Sequence, residues 1–347
     1  MCVSLFLLPL HLMPILIQFL GDHGVCLMMT VEFRMLALRL AQFLRDVREH
    51  SRNGVAHRRL LRFTRPRVGT THCLPCFHEA EACHERSGSV LDQKRQDLAS
   101  NVTYVLVHGA FHGSWCWSRL IPFLEAAGHV AYGPSLTGLG DRASLLSPQV
   151  GLSTHVEDIT GLIRERDLHD VILLGHSYGA MVITGVADQV PDRVRHLVYL
   201  DSFVPRTGES MVDVGALVIA QFRREARRHG DGWRVDPPTQ RPFGIGGLFG
   251  VTTEPDLSWV RSMLTPQSLK SFEEPLQLAD PGIVARFPRT HIWCTGGGPL
   301  VLLLRRLVGP RALPPKEPGW RLRRLSSGHD AMIITPRALA ELLVEIA

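Results

Sequence analysis

Residues 171–187 read VILLGHSYGAMVITGVA, and this stretch decides the fold of the chain. Four apolar residues lead into Gly-His-Ser-Tyr-Gly at 175–179, which fits the pattern G-x-S-x-G, and a further apolar run follows. In that pattern the serine lies on a sharp turn between a strand and a helix, where flanking glycines avoid side-chain collisions. We therefore predict a nucleophilic Ser177 at the N-terminus of a helix, whose dipole favours developing negative charge.

Strand and helix patterns alternate on both sides of this turn. Short apolar runs predict strands at 103–108, 129–133, 171–174, 194–200, 290–294 and 320–325. Apolar residues at helical spacing predict helices at 115–127, from a Ser153 cap onward, at 180–187 and at 336–346. This alternation predicts an α/β protein with a mostly parallel sheet flanked by helices. Residues 203–285 show no strand pattern, which predicts an inserted helical cap.

The end of the first predicted strand, His108-Gly109-Ala110, is the candidate oxyanion hole. In folds with the G-x-S-x-G turn, one donor is the backbone N–H after the nucleophile and the other comes from this loop. Tyr178 and Ala110 are then the predicted donors. The histidines at 108, 112, 155 and 176 are interpreted as structural.

His329 is the predicted general base, because it follows the last strand and precedes the final helix. His291 lies within a predicted strand. For the acid, Asp201 at the end of the strand after the nucleophile helix is favoured, while Glu317 and the absence of any functional acid stay open. Asp330 is expected to point the wrong way to orient the base.

These motifs together resemble the plant methylesterase and hydroxynitrile lyase family of α/β-hydrolases and its bacterial esterase relatives. The matching stretches are YVLVHGAFHGSWCW at 104–117, LGHSYG at 174–179, LVYLDSFVP at 197–205 and SGHDAM at 327–332. The resemblance implies a compact α/β-hydrolase fold whose sheet starts at Thr103. It also implies a serine carboxylesterase that acts on small esters through an acyl-enzyme.

Two departures from the family pattern bear on the reaction. Plant members have an aspartate after the penultimate strand, where this chain reads Cys294-Thr-Gly-Gly-Gly-Pro. The lyases of the family have a threonine where Gly109 stands, and an active-site lysine for which Lys270 and Lys316 have no matching context. Ester hydrolysis is therefore favoured over cyanohydrin cleavage, with a non-catalytic binder as a third possibility.

The substrate is the least defined part of the prediction. Phe111, Trp115 and Trp259 could line an apolar pocket, although ordinary core packing explains each of them equally well. No cofactor and no metal are expected, because the sequence has neither a G-x-G-x-x-G motif nor a P-loop.

Residues 1–101 are interpreted as a poorly ordered or non-native extension preceding a hydrolase domain at 102–347. Most of the net charge of +5 belongs to this extension, so the domain carries no charge signal for nucleic acid. The apolar run at 1–20 contains two prolines, which argues against a membrane segment. The Cys73-x-x-Cys76 pair is interpreted as incidental, and the sparse cysteines of the domain favour a cytoplasmic location.

Overall fold

The computed structural model describes residues 101–228, 231–238, 249–296 and 314–347. The predictions for the leading extension, its apolar run and its cysteine pair lie outside these residues. Within them, no helix is both long and apolar enough to cross a membrane.

Six parallel strands form one sheet in the order β2-β1-β3-β4-β7-β8. Their bounds are β1 Thr103–Val107, β2 Val130–Tyr132, β3 Val171–His176, β4 Val194–Leu200, β7 Arg289–Cys294 and β8 Trp320–Leu325. β3 is buried along its whole length. Continuous burial is expected of a parallel strand with helices on both faces, and the predicted sheet is confirmed.

The helices of the described residues are α1 Ile121–Ala126, α2 Leu152–Glu165, α3 Gly179–Gln189, α4 Met211–Arg228, α5 Asp256–Met263, α6 Leu269–Glu273, α7 Ala331–Ile334 and α8 Pro336–Val344. The single helix predicted at 115–127 is wrong. A 3-10 helix at Ser114–Trp117 is followed by α1, which starts just before Pro122. Proline has no N–H to donate within a helix, so it is tolerated only in the first turn.

The start of α2 also differs from the prediction. Gly151, not Ser153, is the N-cap residue, and Thr154 Oγ1 accepts a hydrogen bond from the Gly151 N–H at 3.2 Å. Ser153 instead donates to Glu274 of the cap at 2.9 Å. The serine therefore connects α2 to the cap.

The cap is mostly helical, but it is not free of strands. β5 Arg234–Val235 pairs with β6 Gln267–Ser268 in an antiparallel sheet. Each strand has two residues, too few to show the alternation from which strands are predicted. The helices α4, α5 and α6 and a 3-10 helix at Ile283–Arg286 are its other regular elements, joined by loops.

Candidate active site

The predicted nucleophile lies on a strained turn between β3 and α3. Ser177 has a φ of +52°, a left-handed conformation that side chains other than glycine rarely adopt. Its N–H donates to the Leu200 carbonyl at 3.2 Å, which ties the turn to the end of β4. A Cβ added to Gly179 would lie 2.5 Å from the Val107 carbonyl oxygen. A glycine is therefore required there for α3 to pack against β1.

The predicted base and acid form a short hydrogen bond. His329 Nδ1 donates to Asp201 Oδ2 at 2.7 Å, and Asp201 Oδ1 accepts from the Cys294 N–H at 3.0 Å. The aspartate side chain is 2% exposed and the histidine side chain 21%. The imidazole is thus oriented by a buried carboxylate while part of its surface stays accessible.

The alternative acid lies elsewhere. The Glu317 side chain is 63% exposed and lies 3.9 Å from Arg206. The sequence between Cys294 and Lys316 contains no carboxylate at all. Of the two carboxylates considered, the structure brings Asp201 to the imidazole of His329.

The candidate oxyanion donors have no competing partner in the part of the chain that the structure describes. There, neither the Ala110 N–H nor the Tyr178 N–H forms a hydrogen bond. A Cβ added to Gly109 would lie 3.1 Å from the Ser177 Cβ, which shows how closely this loop approaches the nucleophile. An oxyanion hole requires backbone N–H groups that are free to donate to the reacting oxygen.

Buried histidines hold the backbone carbonyls that surround these groups. Nitrogens of four imidazoles donate to carbonyl oxygens: His108 to Gly109 at 2.8 Å, His112 to Ala110 at 2.7 Å, His176 to His329 at 3.0 Å and His291 to Ser202 at 2.9 Å. Each carbonyl belongs to, or adjoins, one of the predicted site residues. These backbone contacts are what the expected structural role of the histidines at 108, 112 and 176 requires.

Three of these four histidines have lowered pKa values, which favour the neutral imidazole. Burial lowers the pKa of His108 to about 3, and it lowers the pKa values of His176 and His291 as well. His108 also accepts the Leu136 N–H at its other nitrogen, at 3.1 Å, which fixes its tautomer. A neutral imidazole can donate at one nitrogen and accept at the other.

His112 differs from the others because it faces a carboxylate. Its Nε2 lies 3.0 Å from Asp330 Oδ2, and both side chains are essentially inaccessible to solvent. Burial lowers the pKa of His112, but the charge of Asp330 and the hydrogen bond to it outweigh that effect, so the pKa is raised. Asp330 therefore orients His112 rather than the base beside it.

A residue of the cap that the sequence did not single out holds the oxyanion loop. Gln267 Oε1 accepts the Phe111 N–H at 2.8 Å, and the Thr265 N–H donates to the Phe111 carbonyl at 3.0 Å. Phe111 has a φ of +66°, so these bonds stabilise a rare backbone conformation. No sequence signal marks Gln267, because its role depends on how the cap docks.

Comparisons with known proteins identify the family. The sequence profile of the alpha/beta hydrolase family matches residues 104–342. The chain belongs to the alpha/beta hydrolase family.

Among its relatives is the carbendazim hydrolyzing esterase of Nocardioides sp., which is 38% identical over 252 residues; the match covers 70% of this chain and 98% of that protein. Salicylic acid-binding protein 2 of Nicotiana tabacum is 27% identical over 271 residues, covering 70% of this chain and 96% of that protein. The solved structure of an extracellular alpha/beta-hydrolase from a Paenibacillus species has a TM-score of 0.58 at 24% identity and covers 70% of this chain and 98% of that chain. The last likeness bears on the fold alone.

The three predicted pocket residues of this alpha/beta hydrolase lie in two separate aromatic clusters. Phe111 is buried against Phe222 and Phe272, with ring centroids 5.5 and 5.7 Å away. Trp115 stacks on His112 at 5.2 Å and meets Trp259 edge to face at 5.3 Å. Packing accounts for Phe111, whereas the two tryptophans are partly exposed at the boundary between the core and the cap.

One group of side chains in the described residues has ligand atoms close enough for a metal ion. These atoms of His176, His329 and Asp330 lie within 4.8 Å of one another. However, Nδ1 of His329 is bonded to Asp201, and Nε2 of His176 is bonded to the His329 carbonyl. Metal binding at these nitrogens would compete with the hydrogen bonds that orient the predicted base.

Proposed function

We propose that this alpha/beta hydrolase is a serine carboxylesterase that cleaves small esters through an acyl-enzyme on Ser177. The observation that carries the proposal is the 2.7 Å hydrogen bond between His329 Nδ1 and the buried Asp201 carboxylate. A buried carboxylate fixes the tautomer of a histidine base and stabilises the imidazolium that forms when the base takes a proton.

In the proposed reaction, His329 Nε2 takes the proton of the Ser177 hydroxyl as its oxygen attacks the ester carbonyl. The N–H groups of Ala110 and Tyr178 stabilise the oxyanion, and each such donor contributes about 3 kcal/mol to transition-state binding. His329 then gives its proton to the leaving alcohol. Water, activated by the same histidine, releases the acid and restores Ser177.

The relatives support the ester as the class of substrate. The relative at 38% identity is a carbendazim hydrolyzing esterase, and several further relatives are plant methylesterases. A small-molecule ester is therefore the proposed partner of the site, without a cofactor. We propose that the reaction takes place in the cytoplasm, because the domain contains few cysteines.

Cyanohydrin cleavage is the less favoured alternative. A Cβ at position 109 would lie 2.9 Å from His176 Nδ1 and 3.1 Å from the Ser177 Cβ. The threonine that the lyases have at this position would therefore require both neighbours to move. A non-catalytic binder is also less favoured, because the Asp201–His329 pair is intact.

The test is turnover by the full chain. We expect the wild-type protein to hydrolyse p-nitrophenyl acetate, with carbendazim as a second substrate. Ser177→Ala should reduce kcat by about 10⁴-fold or more, since nothing replaces the nucleophile. Ser118→Ala, which changes an exposed serine, is the matched control and should behave as wild type. A folded wild-type protein that turns over neither ester would contradict the proposal and direct the search to cyanohydrins and to ligand binding.

A further inference from the structure

The strongest unassigned feature is the buried pair formed by His112 and Asp330. The two residues lie 218 positions apart, in the loop after β1 and in the loop after β8. His112 is two residues beyond Ala110, the proposed oxyanion donor, and Asp330 is next to His329, the proposed base. The pair therefore joins the two loops that must be placed relative to each other during catalysis.

The hydrogen bonds determine how many protons the pair holds. The Ala110 carbonyl can only accept, so the proton of the 2.7 Å bond is on His112 Nδ1. The 3.0 Å contact between Nε2 and Asp330 Oδ2 then needs one further proton between them. The charge of Asp330 and its hydrogen bond raise the pKa of His112, which favours that proton on the imidazole and a pair made of an imidazolium and a carboxylate.

The pair is buried from water and packed against aromatic side chains. His112 stacks on Trp115 at 5.2 Å and meets Phe249 edge to face at 5.0 Å. The other oxygen of Asp330 lies 3.9 Å from His176 Nε2. Charge-assisted hydrogen bonds are about twice as strong as neutral ones, and more so in a medium of low dielectric constant.

We propose that His112 and Asp330 act as a positioning pair that fixes the position of the Ala110 N–H relative to the His329 imidazole. This inference rests on the proposed esterase function. Asp330 holds the His112 ring, and the ring holds the Ala110 carbonyl, while His108 holds the Gly109 carbonyl on the opposite side of the oxyanion N–H. Loss of either bond of His112 should leave the ester bound but poorly stabilised in its transition state.

Two substitutions at one position separate the two bonds. Asparagine places its amide near Nδ1, so His112→Asn keeps a donor for Ala110 but loses Asp330. Glutamine places its amide near Nε2, so His112→Gln keeps the contact with Asp330 but loses the anchor of Ala110. Asp330→Asn removes the charge and keeps the shape. His196, a buried histidine bonded to Thr290 at 2.9 Å in the sheet, provides the control variant His196→Asn.

The experiment measures kcat and KM for p-nitrophenyl acetate, the Ki of an aryl boronic acid as transition-state analogue, and the melting temperature. We expect kcat to fall about 10- to 100-fold in each His112 and Asp330 variant, with KM within twofold and Ki raised by the same factor as kcat falls. His112→Gln combined with Asp330→Asn should be no slower than the slower single variant. His196→Asn should lower the melting temperature and leave kcat unchanged.

Several outcomes overturn the proposal. Variants that fold and keep kcat within twofold of wild type contradict a positioning role, as do effects that add in the double variant. A fall in kcat without a matching rise in Ki also contradicts it. If a variant fails to fold, the low-field proton resonance of the pair decides. It should be present in the wild type and persist in Asp201→Asn, which removes the other carboxylate–imidazole bond and leaves His112–Asp330 intact. Its absence from both proteins overturns the proton placed between His112 and Asp330. If wild-type turnover depends on Ser177 while the His112 variants are fully active, the esterase function stands and the positioning role fails.

Discussion

Two aspartate–histidine pairs lie in the same site, and they differ in one respect that matters for chemistry. Asp201–His329 and Asp330–His112 have contacts of 2.7 and 3.0 Å, but the His329 side chain is 21% exposed and the His112 side chain 1%. His329 uses Nδ1 for the carboxylate, which leaves Nε2 for the Ser177 proton that the proposed reaction transfers. His112 uses both nitrogens, one for Asp330 and one for the Ala110 carbonyl.

The comparison shows that a short carboxylate–imidazole bond does not by itself define a catalytic pair. A general base must exchange its proton with the reacting group, so its second nitrogen has to be reachable. An imidazole whose nitrogens are bonded to a carboxylate and to a backbone carbonyl, as in His112, has no nitrogen left for the reacting groups. We therefore propose proton transfer for the accessible pair and positioning for the enclosed pair.

The largest expected effect separates the catalytic pair from every other group. Asp201→Asn should lower kcat by about 10³- to 10⁴-fold, because an amide favours the wrong tautomer of the base. KM should change little, since Asp201 is buried beside the imidazole rather than exposed to the ester. Steady-state kinetics with p-nitrophenyl acetate check this. A loss below tenfold would mean that Asp201 does not orient the base.

A second prediction uses the pH dependence of stability, which should have opposite signs for His108 and His112. The pKa of His108 is lowered from 6.5 to about 3. Between these two pH values the unfolded chain is protonated at this histidine and the folded chain is not, so the free energy of unfolding decreases as the pH falls below 6.5. The loss is about 1.4 kcal/mol per pH unit until the folded pKa is reached. The pKa of His112 is raised, so its contribution is complete below pH 6.5 and is lost as the pH rises through the folded value.

Urea unfolding between pH 4 and 9 measures this difference in His108→Asn and His112→Asn. The first variant should lose part of the acid-side slope of the free energy of unfolding, and the second part of the alkaline-side slope. Equal slopes in the wild type and both variants would show that neither histidine is held in the stated protonation state.

A smaller effect is expected from the cap. Gln267→Leu removes the acceptor of the Phe111 N–H and should lower kcat about tenfold, because Ala110 directly precedes Phe111 and their loop would loosen. Ser268→Ala, in the same short strand β6, serves as control. If kcat is unchanged in a folded Gln267→Leu protein, the cap does not hold the oxyanion loop.

The smallest effects are expected at Glu317 and on removal of metal ions. Glu317→Gln changes an exposed side chain and should keep kcat within twofold of wild type. Dialysis against EDTA should likewise leave activity unchanged, since the proposed reaction needs no metal. Loss of activity in Glu317→Gln would identify Glu317 as the acid. Loss of activity after dialysis would show that the reaction needs a metal ion.

The sequence predicted those parts of the site that depend on local pattern. The G-x-S-x-G turn determined the conformation of Ser177, and the end of β4 predicted Asp201 from its place in the strand order. The partner of His112 and the role of Gln267 were not predictable, because Asp330 lies 218 residues away and Gln267 lies 156 residues from Phe111. Such contacts depend on the docking of loops and cap, which has no periodic signal.

Secondary structure shows the same division. The strand at Val194–Leu200 was predicted to the residue from its apolar residues, although Arg195 and His196 interrupt the run. The prediction of one helix at 115–127 was wrong, because it followed the spacing of the apolar residues and ignored Pro122, which lies in the first turn of a separate helix. The two-residue strands of the cap were missed because so short a pair has no pattern of its own.

The acyl-enzyme itself is the most direct test of the central claim. Wild-type protein mixed with p-nitrophenyl acetate, quenched in acid within the first turnovers and digested, should carry an acetyl group on the peptide that contains Ser177. The same peptide from Ser177→Ala should carry none. Full turnover with no acetylated peptide, or with the acetyl group on another residue, would contradict Ser177 as the nucleophile.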